Sequence, residues 1–304
     1  MLPFLYPMDN RSVITLFQRM LNHVDPRLVD HGFRVAYHVG HMIEELYPNC
    51  DRLMKRDLIL LSLLHDIGAN KTDEIDNLLH FETENSWQHS LYGYLFLSYF
   101  SPLKEYAQAI LYHHTNASEL KTYKLDSLLY NMAQIINIAD RSDIFLMNGS
   151  GWEVLTYALK AEPDRFDPLI VEALLKHPVT YPLTHDQIFS SKFVEEILSL
   201  PFTQVEVDQY VKMAVFCMDF RSRYTVTHTI TTATIAHEIA TYMELSNDVV
   251  NKITCGAMLH DLGKVGVPVE ILEHDGRLTD EQTAIMRSHI TTTKQILSGL
   301  LDEI

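Results

Sequence analysis

Apolar positions recur three and four residues apart along most of the chain, and alternating patterns are scarce. This spacing predicts helices over 12–22, 29–46, 55–67, 88–100, 104–114, 127–147, 186–198, 208–220, 227–243 and 248–260. Turn residues separate them: Pro48-Asn49, the stretch after Gly68, residues 115–118 and Asn148-Gly149-Ser150-Gly151. Residues 163–182 are punctuated by proline, and Pro201 marks a boundary. One stretch stands apart. Residues 58–64 are all Leu or Ile except Ser62, and they run straight into His65, Asp66 and Gly68. A helix apolar on every side belongs in a core. Ending it in two ionisable side chains costs several kcal/mol unless they find a partner, and a metal ion is such a partner. Gly68 is placed to stop the helix as a left-handed cap.

The pattern repeats. His31 corresponds to His228, His65-Asp66 to His260-Asp261, and His89 to His289, at offsets of 197, 195 and 200 residues. Three histidine-bearing helices at a near-constant offset point to a duplication. The expected organisation is all-α with two tandem copies: 1–150 a first domain, 151–204 a helical linker or extension, and 205–304 the N-terminal part of a second domain.

Composition narrows the chemistry. The chain has 304 residues, 47% of them hydrophobic, enough for a sizeable core. Its net charge of −16 argues against DNA or an anionic membrane as partner. No apolar run is long enough to cross a bilayer. The three scattered cysteines suggest a reducing cytoplasm and no thiolate metal site. An anionic substrate would then need local positive charge, such as bound metal.

Histidine is abundant, at 16 residues. In the first copy His31 shares an inward stripe with Val35, His38, Met42 and Leu46. His89 lies on a face with Gly93, and Gly93 would let another group approach closely. His113-His114 ends a helix as His65-Asp66 does. Asp140 sits in the apolar stripe of Leu128, Met132 and Ile136, where a carboxylate is costly unless paired. Asp143 and Asp126 read as solvated or capping residues. Imidazole and carboxylate without thiolate suit Fe, Mn, Zn or Ni. The two oxygens of Asp66 could bridge two metals, and two metals about 3.5–4 Å apart suit in-line displacement at phosphorus.

The set His31, His65-Asp66, His89, His113-His114 and Asp140 resembles the HD superfamily of metal-dependent phosphohydrolases, and its HD-GYP branch in particular. The second copy is the more literal match: His260-Asp261-Leu262-Gly263-Lys264-Val265-Gly266-Val267-Pro268, then Gly276-Arg277-Leu278-Thr279 and Ile285-Met286-Arg287-Ser288-His289. The resemblance implies an all-α fold around a multinuclear site, often iron, and a cyclic dinucleotide substrate, c-di-GMP or cyclic GMP-AMP. It implies one metal held by His31, His65, Asp66 and Asp140 and another by Asp66, His89, His113 and His114. His228, His260, Asp261 and His289 are the matching ligands of the second copy. Asp66, Asp261 and Lys264 would be catalytic.

Departures from the family's pattern matter too. The family's phosphate-binding lysine is Lys264 in the second copy. The first copy has Ala69 there, with Lys71 as a displaced substitute. The Gly-Tyr-Pro element is missing after His114, and Thr180-Tyr181-Pro182 reads as a turn. Arg27 and Tyr224 stand where some members carry a further metal-ligand Glu, which favours two metals. The expected activity is hydrolysis of a cyclic dinucleotide by two divalent ions, Fe or Mn ahead of Ni or Zn. One alternative makes the first copy a metal-binding regulatory or dimerisation module, hence a homodimer. Another is an HD phosphohydrolase of mononucleotides.

Overall fold

The computed structural model describes residues 8–23, 29–71, 87–184, 187–188, 199–221 and 226–300. Arg27, Tyr224, the side chain of Lys71 and nearly all of the helix expected over 186–198 lie outside the described residues. All regular structure among the described residues is helical, as the spacing predicts.

The chain forms two compact units. One comprises Asp30–Tyr99 and Leu103–Leu200. Its helices are α2 (His31–Leu46), α3 (Arg52–Leu63), α4 (Trp87–Phe100), α5 (Ala107–Leu111), α6 (Ala117–Leu120), α7 (Ser127–Met147), α8 (Trp152–Ala161) and α9 (Pro168–Leu175). Aspartates start several of them: Asp51 caps α3, Asp126 caps α7, and Asp167 caps α9 with Pro168 next to it. α7 is the central helix. It is buried from Met132 to Ile144 and packs on α2, α5, α8 and α9. Leu58, Ile59 and Leu61 of α3 are fully buried against this core, and each contributes about 1.5–3 kcal/mol.

The other unit comprises Met1–Val29, Phe100–Pro102 and Pro201–Ile304. It holds α1 (Asn10–Asn22), α10 (Gln204–Arg221), α11 (Val226–Tyr242), α12 (Asn247–Leu259), α13 (Val269–Leu272) and α14 (Asp280–Leu297). α1 packs on α10 and α14. Its Arg19 donates to the carbonyls of Ile296 (2.9 Å) and Ser298 (2.5 Å), capping the end of α14.

These units divide the chain differently from the expected 1–150, 151–204 and 205–304. The buried face of α1 (Leu16, Phe17, Met20) belongs with the second copy; Phe17 meets Tyr210 edge-on at 6.2 Å. Residues 151–200 belong with the first copy, because Leu155, Leu159, Ile170, Val171 and Leu174 are core positions on α8 and α9.

The end of α3 also differs from the helix expected over 55–67. The helix stops at Leu63, turns through His65 and Asp66, and resumes as a 3-10 turn over Ile67–Lys71. The His65 amide bonds to Ser62 O at 3.3 Å, a tighter i−3 geometry. Gly68 is no left-handed cap, since its φ is not positive. It is small because its turn presses on α4: a Cβ there would lie 2.0 Å from His89 O and 2.4 Å from Gly93 N.

Candidate metal centre

Seven side chains from five chain segments converge in the first unit. His31 opens α2, His65 and Asp66 sit in the turn after α3, and His89 lies in the first turn of α4. His113 and His114 follow α5, and Asp140 projects from the middle of α7. His65, His89 and His113 are completely buried, and Asp140 is 1% exposed.

The turns aim the rings. His65 Nδ1 donates to Ser62 O (2.8 Å) and His113 Nδ1 to Ile110 O (2.6 Å), each three residues back, so the Nε2 atoms face inward. His31 Nδ1 donates to Asp143 Oδ2 at 2.7 Å, which turns its Nε2 inward as well. Asp66 divides the centre. Its Oδ2 lies 3.7 Å from His31 Nε2 and 3.4 Å from His65 Nε2. Asp140 Oδ1 joins this lobe, 3.3 Å from His31 Nε2. Asp66 Oδ1 lies 3.7 Å from His89 Nε2 and 3.9 Å from His113 Nε2, and His114 Nε2 is 2.9 Å from His89 Nε2. Asp66, His89, His113 and His114 thus form one ligand group, and His31, His65 and Asp66 another.

These residues fit metal ions. Most of these separations are too long for hydrogen bonds. They match the roughly 3–4 Å between two atoms that each bind one ion at about 2.1 Å. Among the described residues, His31 Nε2, His65 Nε2, His113 Nε2 and Asp66 Oδ1 are buried with no hydrogen-bond partner. Each would cost about 1–3 kcal/mol left alone, and a cation in each lobe satisfies all four.

The lobes differ electrostatically. Burial would lower the His31 imidazole, but the carboxylates of Asp140 and Asp143 outweigh it and hold the group up to about 10. Burial opposes the charge on Asp140, yet Arg141 and the facing histidines keep its carboxyl well below the usual range. Asp66 is likewise lowered against its burial, chiefly by His65. Across the centre, burial lowers His113, and burial with the neighbouring His113 lowers His114 further, so both are neutral and ready to ligate.

The second copy repeats half of this plan. His228 Nε2 lies 3.6 Å and His260 Nε2 3.1 Å from Asp261 Oδ2, and His289 Nε2 lies 3.4 Å from Asp261 Oδ1. His260 and His289 donate Nδ1 to carbonyls three residues back, at 2.7 and 2.5 Å. This half-site is open: the His228 side chain is 51% and that of His260 37% exposed. Lys264 Nζ, the expected phosphate ligand, bonds to Asp261 Oδ2 at 2.6 Å.

Two sequence readings are corrected. Asp143 is neither solvated nor a cap; it is fully buried and holds His31 and Arg34. Tyr181 is more than a turn residue, because its hydroxyl donates to Asp143 Oδ1 at 2.7 Å. A signal for Asp143 was present: it follows Asp140 by one helical turn, as Arg34 follows His31, on facing helices. Asp126 does cap its helix.

Known proteins share this plan. Family models described as the HD domain match residues 28–144 and 213–304. The 3′3′-cGAMP-specific phosphodiesterase 1 of Vibrio cholerae is 26% identical over 310 residues, covering 94% of this chain and 70% of that protein. The 3′3′-cGAMP-specific phosphodiesterase 3 of the same organism is 27% identical over 175 residues, covering 55% of this chain and 38% of its own length. A cyclic di-GMP phosphodiesterase of Thermotoga maritima is 39% identical over 80 residues, 26% of this chain and 22% of that protein. A crystal structure of a Vibrio cholerae cyclic GMP-AMP specific phosphodiesterase, V-cGAP3, matches in fold with a TM-score of 0.64. That match is 18% identical and covers 95% of this chain and 79% of the other. No helix among the described residues is long and apolar enough to cross a membrane. With the two family models falling on the two His-Asp repeats, the chain belongs to the HD domain family and carries its domain twice.

Proposed function

We propose that the protein is a metal-dependent phosphodiesterase that opens a cyclic dinucleotide, and that the first copy is its two-metal centre. One observation carries this: the two oxygens of Asp66 face two separate histidine groups whose buried Nε2 atoms include three without partners. His31, His65, Asp66 and Asp140 would hold one ion, and Asp66, His89, His113 and His114 the other. Fe or Mn suits this imidazole and carboxylate set, with Ni or Zn as alternatives. A bound pair supplies Lewis acidity to the phosphoryl oxygens and a lowered water pKa. The chain's own residues hold the ligands in a dry setting, where each fixed charge acts more strongly than in water. The likeness to the Vibrio cholerae enzymes favours a cyclic GMP-AMP as substrate, with c-di-GMP as the alternative.

A second reading rests on a specific position. Ala69 occupies the place that Lys264 fills in the second copy, and it is 3% exposed. This favours the first copy as a metal-binding regulatory module beside a catalytic second copy. Turnover of 3′3′-cyclic GMP-AMP and c-di-GMP by wild type, Asp66→Ala and Asp261→Ala decides between them. Loss only with Asp66→Ala supports the first-copy centre; loss only with Asp261→Ala overturns it in favour of the regulatory reading.

A further inference from the structure

The buried groups behind His31 form a chain of hydrogen bonds outside the two ligand groups. Asp143 is fully buried and accepts four bonds. Oδ2 takes His31 Nδ1 (2.7 Å) and Arg34 Nη2 (3.0 Å); Oδ1 takes Arg34 Nε (2.7 Å) and the Tyr181 hydroxyl (2.7 Å). Four bonds fill the acceptor capacity of a carboxylate. The Tyr181 oxygen in turn accepts from His38 Nε2 at 2.7 Å, and the two rings stack with planes 2° apart. His38 is 1% exposed, and its Nε2 meets the Tyr181 hydroxyl.

Tyr181 does not come from the helices that bear the ligands. It lies beyond α9, in the stretch whose sequence reads as a linker. In the second copy Thr231 and Ile235 stand where Arg34 and His38 stand in the first. Ordinary core packing would favour the apolar choice, since an apolar replacement of a buried polar group can be neutral or stabilising. Three polar side chains on one buried carboxylate, with His38 behind one of them, therefore call for a role beyond filling space.

We propose that Tyr181 is a positioning residue of the first metal centre: by completing the shell of Asp143, the segment after α9 locks His31 in the orientation and tautomer that present Nε2 to the metal. It rests on the reading of the first copy as a two-metal centre. Asp143 orients the ligand, as outer partners of metal-bound histidines do. Arg34 neutralises Asp143 and holds one edge. Tyr181 fixes the other edge and stops the carboxylate rotating away from Nδ1, while His38 fixes the hydroxyl.

The test is Mn²⁺ binding by the metal-free full chain, followed by equilibrium dialysis, in an Asp261→Ala background that silences the second copy. Two equivalents are expected without further change. Tyr181→Phe removes one oxygen and should weaken one equivalent about tenfold, the lower end for outer-shell partners, and leave the other alone. In a His89→Ala background, which leaves only the His31 lobe, the same loss should fall on the single remaining equivalent. His38→Ile, the residue of the second copy, keeps the Tyr181–Asp143 bond and should change affinity less than about threefold. Unchanged affinity in Tyr181→Phe, with or without a lower melting temperature of the metal-free protein, overturns the proposal and leaves Tyr181 a packing residue. No Mn²⁺ uptake before Tyr181 is altered overturns the metal-centre reading itself, and this proposal with it.

Discussion

Among the described residues the two copies share a plan and differ in how far it is enclosed. In both, an His-Asp turn follows an apolar helix, a glycine three residues after the histidine lets the turn press on the next histidine helix, and Nδ1 is held by a carbonyl three residues back. The imagined Cβ of Gly68 lies 2.0 Å from His89 O, and that of Gly263 2.0 Å from His289 O. Around that shared kernel the copies diverge. His38 and Met42 of α2 are buried under α7 and α9, whereas Ile235 and Ile239, at the same places on α11, are 53% and 54% exposed. Leu58 is fully buried, and its counterpart Ile253 is 38% exposed. The kernel alone can gather three or four ligands around one carboxylate. Burying them, and surrounding the carboxylate with a second histidine group, takes the later helices α5 and α7.

The strongest way to break this comparison is to remove the shared aspartate from each copy. Asp66→Ala takes one ligand from both lobes and should abolish retention of both metals, lowering turnover by at least about 10²–10³-fold, the scale set by losing one preorganised charge-stabilising group. Asp261→Ala should remove at most one ion from the open half-site. Metal analysis of the two purified variants checks this. Equal losses would show that the copies do not differ as their burial indicates.

The glycines test the kernel itself. Gly68→Ala and Gly263→Ala both force a methyl into backbone, which helices must move to admit. Each should cost about 1–3 kcal/mol by overpacking, measured by denaturant unfolding. Only Gly68→Ala should also weaken metal held through His89, since it displaces a ligand of a complete lobe.

The helical class, the repeat and the seven converging residues were legible in sequence because each is a local pattern: a spacing, an apolar run ending in charge, a carboxylate in an apolar stripe. What escaped was non-local. Asp143 differs from a solvated aspartate through Tyr181, 38 residues on, and through Arg34 and His31, 109 and 112 residues back. α1 carries an ordinary amphipathic pattern that does not say which copy covers it; the cap that Arg19 places on α14 is 277 residues away. The break at His65 was hidden because the residues before it favour helix, and it took the Ser62 carbonyl, shared by backbone and side chain, to stop it.

A pH series sharpens the contrast between the lobes. In the metal-free protein His31 is raised from 6.5 to about 10. A raised histidine contributes stability that is fully present below pH 6.5 and is lost as the pH climbs through about 10. Metal needs the neutral ring, so Mn²⁺ affinity at this lobe should rise with pH over the same window, by up to tenfold per unit for one released proton. The other lobe, with His113 and His114 lowered, should bind with little pH dependence there. Thermal unfolding of the metal-free protein and Mn²⁺ titrations between pH 6.5 and 9.5 read the two trends. Parallel rather than opposed trends at the His31 lobe would count against protonated His31.

The smallest effect probes the bare face of the second copy. Gly256 on α12 stands where Leu61 of α3 lies fully buried, and nothing lies within 4 Å of where its Cβ would go. A glycine inside a helix costs about 0.5–1 kcal/mol relative to alanine through backbone entropy. With open space and an ordinary φ, Gly256→Ala should recover that amount and leave Mn²⁺ binding unchanged at both copies. Denaturant unfolding of Gly256→Ala beside Gly263→Ala, seven residues further on, then gives opposite signs for the same added methyl. Destabilisation by Gly256→Ala would mean that this face of α12 is covered, and the difference in enclosure between the copies would shrink accordingly.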